Sequence, residues 1–225
     1  MTTSSRRTFL KVASSAVAAA ALPSWVPAAG PKPQRSGISL GHSLYGMQTV
    51  PLTEAVAHCA RLGFKNVELM VDPGAPADPR TFSKAARQAL RSQLKSEGLT
   101  VSALMRNLRL IEGTMTSAQN VEALKEAAQL AHDLSPDAPP PIETVMGGKP
   151  DQWEASKATM AGALAEWTAT VESAQVDLLL KAHVFMAVNT PEKLLWLLDQ
   201  KPSSRVHVTY DYSHFQPQDL SMEST

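Results

Sequence analysis

Cysteine is nearly absent from this 225-residue chain: Cys59 is the only one. No intramolecular disulfide can form, so the fold must rest on core packing or on a ligand. An excess of charge is absent too, with 21 Lys+Arg against 21 Asp+Glu. That removes the electrostatic footprint of a protein that binds nucleic acid or an anionic membrane. The apolar run from Val12 to Leu22 is about half the ~20 residues that cross a bilayer. No glycine-rich phosphate fingerprint follows the first candidate strand, where Gly41-His42-Ser43-Leu44-Tyr45-Gly46 stands instead. This weakens a dinucleotide-binding reading. What remains is a composition ordinary for a globular protein, in a chain long enough for one medium domain with a sizeable core.

The N-terminus carries the clearest local signal. Ser4-Ser5-Arg6-Arg7-Thr8-Phe9-Leu10-Lys11 precedes the apolar run, which ends at Pro23. A basic start, a short apolar stretch and then small residues make a signal peptide, and the Arg6-Arg7 pair is that of the twin-arginine export motif. Val26-Pro27-Ala28 offers small residues for cleavage near Ala28 or Ala29. Residues 1–29 are therefore expected to be a twin-arginine signal peptide, with the mature protein periplasmic or otherwise extracytoplasmic and without a stable membrane anchor. Residues 30–36 read as a linker.

From residue 37 to 225 strand and helix patterns alternate. Expected strands are Gly37–Leu40, Lys65–Val71, Leu99–Met105, Ile142–Met146, Val176–Ala182 and Val206–Asp211. Between them lie helical patterns: Leu52 to Leu62, a segment opened by Asp78-Pro79 and closed by Gly98, one capped by Ser117, one starting at Asp151, and one opened by Thr190-Pro191. The strands are short and mostly apolar, as when protein covers both faces. Such alternation, at a period of roughly 30–35 residues, argues for a parallel sheet with helical crossovers, either an open doubly wound sheet or a (β/α)8 barrel. A barrel needs two more βα units than the six present, and typically ~250 residues.

In a barrel, chemistry sits at the carboxyl ends of the strands. Polar residues cluster there: His42, Glu68, Arg106, Lys181, His183, Asp211 and His214. Asp211 and His214, three apart at a strand-to-loop junction, can turn toward one divalent metal. The competing reading is an Asx turn with a surface histidine. Glu68 inside a parallel strand is costly unless paired or in contact with a substrate. Arg106 can bind a phosphate or carboxylate, or be solvated.

At these residues the chain resembles the sugar phosphate isomerase/epimerase family, which shares its barrel with xylose isomerase and endonuclease IV. The resemblance is carried by Gly63-Phe64-Lys65-Asn66-Val67-Glu68-Leu69, Asn189-Thr190-Pro191-Glu192-Lys193 and Tyr210-Asp211-Tyr212-Ser213-His214-Phe215. It implies an α/β fold of parallel (β/α)8 TIM-barrel type, incomplete at about six βα units, with strands seven and eight missing from a chain truncated at its C-terminus. It implies metal-assisted proton transfer next to a sugar carbonyl, the substrate being a small carbohydrate or sugar phosphate. Asp211 and His214 would be ligands of a divalent metal ion (Mn, Zn, Mg or Co). Glu68 and Lys181 would be catalytic, and His42, Arg106 and His183 would bind substrate. The family's strand-five glutamate ligand is replaced by Lys181, and its remaining two ligands lie on strands seven and eight. Activity is therefore expected to be lost or weakened in this chain. The alternative is a non-catalytic periplasmic carbohydrate-binding pseudo-enzyme. A nuclease of the endonuclease IV kind is disfavoured by the zero net charge and the export signal.

Overall fold

A computed structural model describes residues 37–200 and 203–225. The expected signal peptide (1–29) and linker (30–36) lie outside the described residues. Six parallel strands, β1 (Gly41–Ser43), β2 (Asn66–Met70), β3 (Thr100–Met105), β4 (Ile142–Thr144), β5 (Leu178–Lys181) and β6 (Val206–Thr209), form one sheet in the order β1-β2-β3-β4-β5-β6. Five α-helices alternate with them: α1 (Leu52–Arg61), α2 (Lys84–Glu97), α3 (Ser117–Leu134), α4 (Trp153–Ala174) and α5 (Pro191–Gln200). Right-handed crossovers between strands laid down in strict order place every helix on the same face. A doubly wound sheet would instead reverse its order part-way. The strand order therefore decides for the TIM-barrel-like α/β fold.

Several boundaries differ from those expected, each for a local reason. The first strand is Gly41–Ser43 rather than Gly37–Leu40, because pairing is set by the register Gly41↔Asn66, His42↔Val67 and Ser43↔Glu68 and not by the apolar run before it. Asp78 does not cap α2. Its carboxylate accepts the Gly74 and Arg80 amides and the Arg80 guanidinium, folding a turn, and Ser83 caps the helix by accepting the Ala86 amide. Thr116, not Ser117, caps α3, in a reciprocal capping box with Gln119. Ser117 instead donates to Glu166 on α4. β4 and β6 stop short at Thr144 and Thr209, so Met146 and Asp211 lie in the loops beyond them.

The pleat divides the sheet into two faces. On the helix side Val67, Leu69, Leu104, Ile142, Leu178 and Leu180 are buried with Leu124, Met160, Leu164 and Trp167 in one continuous core. On the other face successive strands present Ser43, Glu68, Met105, Glu143 and Lys181, as the registers Ser43↔Glu68, Met105↔Glu143 and Glu143↔Leu179 require. α4 contributes large side chains to the apolar wall, with Met160, Leu164, Trp167 and Val171 all solvent-inaccessible at helical spacing. Trp167→Ala is expected to cost about 3–5 kcal/mol, a large part of a domain's total stability, and a urea-unfolding midpoint unchanged from wild type would contradict this packing.

Candidate active site

The carboxyl ends of the strands open into a cleft of about 400 Å³. Its walls follow the pleat past the strand ends in steps of two: Glu68, Met70 and Asp72; Met105, Asn107 and Arg109; Lys181 and His183. Asp211 and His214 close it from the loop after β6. That loop is folded by Asp211 itself, whose Oδ1 accepts the Ser213 amide (3.1 Å) and hydroxyl (2.6 Å).

Lys181 and Glu143 form the deepest charged contact. The Lys181 ammonium is ion-paired with Glu143 Oε1, and both side chains are largely withdrawn from solvent. Registers on the pleat place them diagonally on adjacent strands of the same face. Burial pushes the Glu68 carboxyl above the usual carboxylate range; Glu143 adds to this, while the Ser43 hydroxyl and Lys181 oppose it. A carboxyl held above its ordinary value in a cleft is a candidate for proton transfer.

His183 and His214 stack, with ring centroids 4.0 Å apart. Burial, then His214, Lys181 and Arg109, push the His183 imidazole down to about 4, so it is neutral at physiological pH. Burial also lowers His214, against the pull of Asp211, whose Oδ2 lies 3.5 Å from His214 Nε2. Burial alone would raise the Asp211 carboxyl, but the Ser213 hydroxyl, His214 and the Ser213 amide together hold it below its ordinary value.

Five of the seven residues singled out from the sequence, Glu68, Lys181, His183, Asp211 and His214, come together in this cleft. The structure does not bring His42 there. His42 is in register with Val67 on the helix side of the sheet, and its ring lies against Phe64 at 5.4 Å. Arg106 also falls on the other side of the pleat from Met105 and Asn107. It is buried, with Nη1 2.9 Å from Asp72 Oδ1, and is spent on that ion pair. Sequence reading passed over Tyr45, Asp72 and Arg109, all of which line the cleft. A spacing of two from Met105 through Asn107 to Arg109 is the signal in the sequence that leads to the last.

Asp211 and His214 supply two donors suited to a divalent metal. Among the described residues no three His, Cys, Asp or Glu side chains converge on a common point. On the neighbouring strand β5 stands an ammonium rather than a third donor, and Glu143 is ion-paired with it. The described residues therefore do not by themselves fit a divalent-metal centre, which takes four or more donors.

A singly wound parallel α/β sheet with its polar cleft at the strands' carboxyl ends defines a TIM-barrel-type protein. The family model described as xylose isomerase-like TIM barrel matches residues 56–223, and the chain belongs to that family. Similar solved structures include the IOLI protein with a binding zinc atom, at 16% identity and TM-score 0.67, covering 83% of this chain and 67% of that one. A xylose isomerase-like TIM barrel protein from Mycobacterium smegmatis in complex with magnesium is 13% identical, with TM-score 0.61 and coverage of 79% and 65%. The 3-keto-D-glucoside 4-epimerase YcjR from E. coli, in its apo form, is 10% identical, with TM-score 0.64 and coverage of 83% and 73%. At these identities the likeness is one of fold. The chain spans about two thirds of the length of the first two. No curated protein sequence matches it.

Removing one partner of a buried ion pair leaves the other charge stranded, whereas removing both is much cheaper. Lys181→Met is expected to cost about 3–5 kcal/mol, and Lys181→Met with Glu143→Leu to recover most of it. Chemical denaturation of the two single variants and the double variant measures the coupling; additive losses would show that the pair is not a unit.

Proposed function

We propose that the cleft binds a small carbohydrate and carries out proton transfer next to its carbonyl, the chemistry of sugar isomerases and epimerases. The carrying observation is the placement of Glu68, held above its usual protonation range by burial, in one cleft with the buried Lys181 ammonium. Glu68 takes the proton from the carbon beside the carbonyl and returns it. The negative charge that develops on the carbonyl oxygen is met by the fixed charge of Lys181, which Glu143 holds in place. Neutral His183 offers a hydrogen bond to a sugar hydroxyl without adding charge. Family membership and an epimerase among the similar folds support this reading. No step is routed through a metal at Asp211 and His214.

A second reading is a carbohydrate-binding protein without turnover. It is favoured by one observation: Lys181 is already neutralised by Glu143, which weakens its pull on a developing oxyanion. We further infer, from Arg6-Arg7 and the short apolar run behind it, export by the twin-arginine route to an extracytoplasmic compartment.

Two experiments test these readings. In deuterium oxide, the chain is expected to wash deuterium into fructose at the carbon next to the carbonyl, read by proton NMR, with Glu68→Gln slowing exchange by about 10²–10⁴-fold. Saturable binding with no exchange would favour the second reading. Adding Mn²⁺ is expected to leave the wild-type melting temperature in place and to raise that of Lys181→Glu, where a second carboxylate joins Asp211 and His214. For export, Arg6→Lys with Arg7→Lys should hold a reporter fused after residue 36 inside the cell; undiminished export of that fusion would remove the localisation proposal.

A further inference from the structure

A second cavity of about 280 Å³ adjoins the cleft, and Asp72, Asn107 and Arg109 line both. The charges around the second cavity are almost all spent. Asp72 accepts Arg106 Nη1 at 2.9 Å and the Asn107 amide and side chain at 2.8 and 2.7 Å. Glu112 accepts Gln152 Nε2 at 2.6 Å and lies 3.8 Å from Lys149 Nζ. Arg109 differs: among the described residues no carboxylate oxygen lies within 4.0 Å of its guanidinium, although it stands on the wall common to both cavities.

The backbone that delivers this arginine is held in an unfavourable conformation. Arg109 has φ 43°, in the left-handed region that residues with a Cβ avoid. Its amide donates to the Val145 carbonyl at 3.2 Å, and two residues on Ile111 donates to Met146 at 3.1 Å and accepts from Gly148 at 2.9 Å. Glycine is required where the chain packs against this turn. A side chain at Gly113 would overlap the Arg109 carbonyl, and one at Gly147 would overlap the Ile111 carbonyl and press on Arg109 Cα. Strain kept in place by so many contacts, at the mouth of a cleft, is the mark of a positioned functional group. A planar guanidinium with five donors matches the two oxygens of a carboxylate or phosphate.

We infer that Arg109 forms an oxyanion subsite on the shared wall, so that the ligand of this cleft carries a carboxylate or phosphate group beyond its sugar ring. The sugar half of this inference rests on the carbohydrate reading above; the anion half does not. The test titrates the full chain with inorganic phosphate, followed by ³¹P NMR. Saturable binding is expected, weakened at least tenfold in Arg109→Gln and less in Arg109→Lys, which keeps the charge but loses the fork. Arg109→Gly guards against misfolding: glycine relaxes the left-handed turn, so its melting temperature should stay level or rise while phosphate binding is still lost. Wild-type protein that ignores phosphate, or Arg109→Gln and Arg109→Gly binding it within twofold of wild type, would overturn the subsite. Glucose 6-phosphate and glucuronate then compete with phosphate, and the one that displaces it more strongly identifies the group as phosphate or carboxylate. Should neither displace it better than phosphate alone binds, while phosphate still depends on Arg109, the sugar half falls together with the carbohydrate reading. Deuterium exchange into fructose with Arg109-independent phosphate binding sinks the anion half alone.

Discussion

The ion pair between Lys181 and Glu143 is the constraint around which the cleft is arranged. Each charge sits on the inner face of a parallel strand, largely out of water, where an isolated ion would be costly. Neither can be tolerated without the other, so the two side chains fix each other's position at the centre of the strand ends. Everything polar nearby then adjusts to that pair. Glu68 is raised by burial and by Glu143, and His183 and His214 are disfavoured as cations by burial and by Lys181. The same ammonium shares the cleft with Asp211 and His214.

This arrangement is possible because the sheet is laid down in strict order. Six strands paired with sequence neighbours and joined by five right-handed crossovers put all helices on one face. That face becomes the apolar core, with Val67, Leu104, Ile142 and Leu178 buried against α3 and α4. The opposite face is released from the demand for hydrophobicity and carries a row of polar side chains at a period of two. The loops beyond the strands extend the same period into the cleft. Their shape depends on glycines at Gly113 and Gly147, where backbone runs so close to backbone that no Cβ fits, and on the turn at Asp211 closed by Ser213.

Much of the fold was legible in the residues. The alternation of short apolar strands with 3.6-period helices yields the right elements in the right order, because both patterns are local consequences of which face is buried. The polar residues at strand ends point to the right end of the sheet, and five of seven candidates meet there. The two that do not, His42 and Arg106, are adjacent in sequence to residues that do, Ser43 and Asn107. A shift of one residue along a strand moves a side chain to the opposite face, and without the register nothing in the sequence says which neighbour faces the cleft. Asp78 and Ser117 show the same limit at helix starts. Both are good caps by type, but Ser83 and Thr116 do the capping, because contacts with Arg80 and Glu166 claim the others.

The sequence by itself determined the alternation of parallel strands with helices and the clustering of polar residues at the strands' carboxyl ends. These follow from hydrophobic period, element order and residue type, which are properties of the chain read in one dimension. Only the tertiary structure decided that Lys181 is paired with Glu143, that Arg106 is spent on Asp72, and that Arg109 has no carboxylate partner among the described residues. Those outcomes depend on which charges meet across strands 30 or more residues apart. Such pairings are set by register and pleat, and neither is written in any local segment of the chain.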